Sequence, residues 1–214
     1  MREQDHGFTL VELAVAMSIF GLLMTITYSV LTSVQSGTSR TIATSDEVAQ
    51  VRLALQQIDR QIRSGNVLYS PANEATALTG TPDCYSSTLA PSVAPNAGNC
   101  MRVYTQANGD NRCVQWRIRG GDLATRSWAP DAPSGATSWR TVAHDIVNTD
   151  DVGPAAFSLQ GATTSYGSRL VSIDLLVNSA GMTAAPVQVT TALAGRNTEY
   201  GFDPGTCSPP PPST

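Results

Sequence analysis

Six consecutive residues near the N-terminus, Gly7-Phe8-Thr9-Leu10-Val11-Glu12, combine types that could do chemistry together. Glu12 stands at the start of an apolar run reaching about Val34, and between Phe8 and Gly37 the only ionisable side chains are Glu12 and Tyr28. A carboxylate inside an apolar span costs about 2.5–3.5 kcal/mol on insertion scales, so it calls for a partner. Outside the seven-residue leader, no charge of the chain lies within helical reach of it. The partner is therefore expected on another molecule, as a positive group at a neighbouring N-terminus. Cutting the peptide bond after Gly7 would create one, the α-amine of Phe8. A cleavable glycyl bond, a new amine and an acid one helical turn further on then form one chemical unit.

That unit resembles the class III signal sequence of type IV pilins and type II secretion pseudopilins. The likeness covers six residues in a row, behind a short polar leader and at the head of an apolar segment. It implies that a membrane prepilin peptidase cuts after Gly7 and methylates the new N-terminal Phe8. Glu12, fifth from that terminus, would serve filament assembly. The implied partners are other pilin or pseudopilin subunits, met through the N-terminal helix, together with the peptidase, the inner-membrane assembly machinery and membrane lipid. The implied location is the cytoplasmic (inner) membrane, as a single-pass protein with its head extracytoplasmic, and afterwards a cell-surface or periplasmic filament. An ordinary secretory signal would need a positively charged leader, whereas here one Arg faces Glu3 and Asp5. A plain membrane anchor would leave Glu12 without a role.

The elements that must position these residues follow from pattern. Residues 8–34 supply an apolar segment long enough to cross about 30 Å of hydrocarbon as a helix. Thr9, Ser18, Thr25, Thr27 and Ser29 are tolerable there because their hydroxyls can bond back to helix carbonyls. Residues 35–65 read as an amphipathic continuation. Thr44-Ser45-Asp46-Glu47 has the form of a capping box. Val48, Val51, Leu55, Ile58 and Ile62 then mark one apolar stripe, with Ser64-Gly65-Asn66 as the stop. No Pro occurs between Phe8 and Pro71, so the two parts could join in one helix of about 57 residues.

Residues 66–100 are expected to be a loop region and 101–207 a β-sheet head, with a Pro-rich tail at 208–214. Strands are expected at 101–106, 112–119, 122–128, 139–147, 157–159, 170–177 and 187–193. Their turns would be Asn108-Gly109-Asp110-Asn111, Gly120-Gly121 and Asn178-Ser179-Ala180-Gly181. The expected fold is α+β and pilin-like: a long N-terminal helix packed on an antiparallel sheet. The order of elements is similar to that of minor pseudopilins of the J type and their counterparts among minor pilins, and the chain's length and elaborate head favour a minor, tip-located subunit over the bulk one.

Composition narrows the function classes. The net charge is −4 over 214 residues, and all 13 basic residues are Arg. A chain of that sign is not steered to nucleic acid as a whole. Four Cys, at 84, 100, 113 and 207, behind an export signal read as up to two disulfides in an oxidising compartment. Cys84 with Cys100 is the favoured pairing because it would bracket most of the loop region. No phosphate loop, nucleophile elbow or zinc spacing is visible, so neither an enzyme nor a cofactor is expected. His144-Asp145 could be half of a catalytic pair. Asp145, Asp150 and Asp151 could help bind calcium, though without the alternation of an EF-hand loop.

Two alternatives use the head. Arg102, Arg112, Arg117 and Arg119 lie in a locally basic stretch interleaved with Tyr104, Trp116, Trp128 and Trp139. On alternating strands they could contact DNA in a competence pilin, against the plainer reading of exposed Arg opposite core Trp. A tip adhesin would use the loops at 71–99 or 129–138.

Overall fold

The computed structural model describes residues 9–77, 84, 96–106, 109–148, 154–160, 169–178, 185–195, 202–203 and 205–211. The chain divides into two compact units, Met1–Ala43 and Thr44–Thr214, and each is described by itself.

A helix, α1, runs over Leu10–Arg63 without a break, so the two expected helical stretches are one element. Thr44 is therefore not a cap; it sits in mid-helix, and the capping box expected at Thr44–Glu47 does not start anything. Within the first unit the helix contains an apolar window of membrane-crossing length, and none of that window is buried. Leu10, Phe20, Leu22 and Tyr28 are all more than 60% exposed. The hydroxyls bond back as expected: Ser18 donates to Ala14 O at 2.8 Å, Thr25 to Gly21 O at 2.9 Å and Thr27 to Leu23 O at 2.8 Å. Such pairing would satisfy these three hydroxyl donors inside hydrocarbon.

The second unit begins with the last five turns of α1. Their buried face is Glu47, Val51, Ala54, Ile58 and Ile62, with Leu55 at its flank. Val51, Ile58 and Ile62 of the expected stripe are fully buried, while at the other two positions the preceding residues, Glu47 and Ala54, are buried more deeply than Val48 and Leu55. Burying Ile58 and Ile62 completely contributes about 1.5–3 kcal/mol each.

Against this face stand two antiparallel sheets rather than the single one expected. The first has the order β1-β3-β4-β5-β6, from Gly65–Leu68, Cys100–Thr105, Arg112–Arg119, Asp122–Trp128 and Arg140–Ala143. The second has the order β2-β7-β8-β9, from Ala97–Gly98, Phe157–Leu159, Leu170–Val177 and Val187–Ala194. Met101, Val103, Trp116, Ile118 and Leu123 of the first sheet share one core with Phe157, Val171, Ile173 and Leu175 of the second. The stretch 66–100, expected to be loop, contributes β1, β2 and a short helix α2 at Pro71–Ala77.

The β4–β5 connection is a two-residue turn. Arg119 pairs with Asp122, leaving Gly120 and Gly121 between them at φ 60° and 89°. Both central residues of such a two-residue hairpin need positive φ, which glycine adopts without strain.

A candidate processing and assembly site, and the buried polar row of the head

Of the expected processing residues, Gly7 and Phe8 lie outside the described residues; Thr9 and Glu12 do not. Thr9 is the residue before α1, and its carbonyl accepts the first helical bond, from Leu13 N at 3.2 Å. Its hydroxyl accepts from the Glu12 backbone N–H at 3.3 Å and donates to Glu12 Oε2 at 3.4 Å. Thr at the cap and Glu three residues on is the pairing that satisfies otherwise orphaned amides at a helix start. Glu12 is also in the first turn, where the aligned peptide dipoles favour a negative charge. The acid thus has a local hydroxyl partner, which the sequence reading missed by looking only for charges. Its side chain remains exposed, at the head of a helix whose apolar surface is also uncovered. A cation brought to this point would meet a carboxylate held in a fixed place.

The head carries its chemistry elsewhere. On the face of the first sheet turned away from α1, Arg102, Gln115 and Arg126 stand side by side on β3, β4 and β5. All three are buried, and so is Glu74 of α2. Arg102 Nε donates to Glu74 Oε1 at 3.0 Å and Gln115 Nε2 donates to Glu74 Oε2 at 2.8 Å. Arg126 Nε and Nη2 donate to Gln115 Oε1 at 3.0 and 2.8 Å. Burial pushes the Glu74 carboxyl above its ordinary range, while Arg102, the bond from Gln115 and the more distant Arg126 pull it back without cancelling the shift.

This row holds the C-terminal tail. Arg102 Nη1 donates to Cys207 O, and Arg126 Nη2 donates to Pro211 O at 2.8 Å. Tyr69 Oη accepts from Cys207 N at 3.1 Å, and Arg102 also lies over the Tyr69 ring at 4.1 Å. Pro210 and Pro211 are buried. Cys113 on β4 is bonded to Cys207, and Cys84 to Cys100, which is the favoured pairing. Trp128, Tyr104 and the Cys113–Cys207 bridge form a small second core beneath the tail.

The four arginines considered for DNA are not brought together. Arg102 is spent on Glu74 and the tail. Arg117 lies over Trp139 at 3.9 Å, whereas Arg112 and Arg119 stand exposed at opposite ends of β4. Trp116 and Trp128 are buried, so neither offers a face to a base. Of the acids considered for calcium, Asp150 and Asp151 lie outside the described residues. His144 pairs not with Asp145 but with Asp122, Nδ1 to Oδ1 at 2.7 Å, on an exposed surface. Sequence reasoning missed Glu74 and Gln115; a Glu in a Pro- and Ala-rich stretch carries no local sign of burial.

Comparison with known proteins bears on the N-terminus. No curated protein matches the chain. Residues 3–28 match the family model described as the prokaryotic N-terminal methylation motif, which contains the Gly7–Glu12 unit. That motif is the class III signal typical of type IV pilins and pseudopilins. With it stand an apolar helix fit for membrane anchoring before assembly and a head of antiparallel sheets. The chain is, in these respects, a type IV pilin- or pseudopilin-like protein.

Proposed function

We propose that the chain is a minor, tip-located subunit of a type IV pilus or of a type II secretion filament, cut between Gly7 and Phe8 and methylated on Phe8. It enters the inner membrane as a single-pass protein with the head outside, and leaves it for the filament by lateral packing of α1 against other subunits. Glu12 then neutralises the α-amine of a neighbour's Phe8. The observation that carries this reading is Glu12 itself: an exposed carboxylate pinned by Thr9 in the first turn of an uncovered apolar helix. Both disulfides suit an oxidising compartment outside the cytoplasm. The role is structural, and no step of it requires catalysis.

Peptide mass spectrometry of the protein recovered from its native membrane tests the processing. The expected N-terminal peptide starts at Phe8 and carries one added methyl. A peptide starting beyond the apolar segment would make this an ordinary secreted domain. Replacing Glu12 by Gln should leave cleavage unchanged and remove the protein from sheared filaments; unchanged filament incorporation would refute the pairing with the neighbour's amine.

A further inference from the structure

We infer that the head carries a binding site for an acidic sugar residue, in a cavity of about 340 Å³ between the last turns of α1 and the adjoining ends of β3, β4 and β5. Sites for small ligands span about 300–1,000 Å³, so a monosaccharide unit fits. Every residue around the cavity belongs to the head, and the inference stands apart from the filament reading.

The lining is rich in donors and contains no carboxylate. Arg112 and Arg140 supply positive charge, and five Ser or Thr hydroxyls, with Thr137 and Ser138 among them, complete most of the wall. Two glutamines project from α1. Arg140 Nη2 donates to Gln57 Oε1 at 3.3 Å, and Trp116 Nε1 donates to Gln61 Oε1 at 2.7 Å. With both carbonyl ends engaged, each amide has its NH2 left to offer. Gln61 is held by a fully buried Trp, so its orientation is set before any ligand arrives. Arg126 borders the cavity, but its guanidinium lies on the other face of the sheet, bonded to Gln115 and Pro211. Arg112 is exposed, with no ion-pair partner among the described residues.

A donor set of this kind is completed by an anion. The planar fork of a guanidinium matches a carboxylate, while hydroxyls, which both donate and accept, match the ring hydroxyls of a sugar. A nucleic-acid strand would satisfy the charge but needs exposed aromatic faces for its bases. Trp116 and Trp128 are buried, and Trp139 is covered by Arg117 and Arg126.

The test uses the full chain in detergent, titrated calorimetrically with methyl glucuronide, methyl galacturonide and methyl N-acetylneuraminate. Neutral methyl glucoside and a short oligothymidylate are run in parallel. At least one acidic sugar should bind, with methyl glucoside about tenfold weaker or worse. Arg140→Gln and Arg112→Gln should each weaken that binding by about tenfold, as should Gln57→Ala if either arginine variant proves unfolded. Arg119→Gln, at the other end of β4, should leave it unchanged. No binding of any acidic sugar, equal binding of the neutral one, or indifference to the cavity variants overturns the inference. Preferential binding of the oligothymidylate, lost in the same variants, overturns the ligand and makes the cavity a nucleic-acid contact.

Discussion

Replacing Glu74 by Ala should destabilise the head far more than its place in a seven-residue helix suggests. The carboxylate is fully buried, and its removal leaves the Arg102 guanidinium, itself 3% exposed, without its counter-charge. It also removes the acceptor of the Gln115 amide N–H. Taking one partner from a buried ion pair costs about 3–5 kcal/mol. Urea unfolding of the detergent-solubilised chain, followed by Trp fluorescence, reads the head selectively, because Trp116, Trp128 and Trp139 all lie there. With a denaturant slope of about 2 kcal/mol per molar, the midpoint should fall by roughly 1.5–2.5 M. Asp59→Ala is the control. It breaks a pair of the same type with Arg63, but with side chains 58% and 33% exposed, and should cost about 0.5 kcal/mol or less. The double change Glu74→Leu with Arg102→Met should recover part of the loss, since the buried charge is then gone. A Glu74→Ala midpoint no lower than that of Asp59→Ala would refute the claim that the row holds the tail in place.

Three further outcomes follow from particular residues. Removing the Cys113–Cys207 bridge by a double Ser substitution should cost about 2–5 kcal/mol and make the tail accessible to carboxypeptidase, read by mass spectrometry of the intact chain. Glu47 has its carboxyl raised first by burial and then by Asp145, so its contribution to stability is complete in acid, below the ordinary carboxyl range, and falls as pH rises through the raised value. Glu47→Gln should therefore gain on the native chain from acid to neutral pH, and parallel pH–stability curves would refute that. Gly121→Ala should destabilise the head by about 1–2 kcal/mol because it forces a Cβ residue to φ 89°, whereas Gly21→Ala, which meets nothing within 4 Å, should not alter head unfolding.

Legibility in the sequence tracked the range of the interaction. β4, β5 and β8 could be read to their ends, because Gly120-Gly121 fixes one hairpin and strict alternation marks Val171, Ile173, Leu175 and Val177. α2 was missed because the stretch from Pro71 is rich in Pro, Ala, Ser, Thr, Asn and Gly and reads as loop; yet at the first position of a helix Pro's missing N–H costs nothing. β1 is four residues with no alternation to detect, and the split into two sheets depends on which strands meet, not on any one of them. At the N-terminus, six contiguous residues were enough to point to the methylation motif that residues 3–28 match. The buried row and the cavity were invisible, since Glu74, Gln115 and Gln61 acquire their roles from strands and helices distant in the chain. The same holds for the arginines: spacing suggested one basic surface, and burial divided it.

The Cys113–Cys207 bridge also bears on how the protein behaves under a pull. Ninety-four residues separate its two cysteines, and at about 3.4 Å per extended residue they hold back roughly 320 Å of chain from stretching. A chain drawn out between α1 and its tail can release only what lies outside that loop, and Cys84–Cys100 withholds a further 16 residues. Tension arriving through the helix would thus be met by covalent bonds after a short extension, leaving most of the head unable to unravel while both bridges are intact.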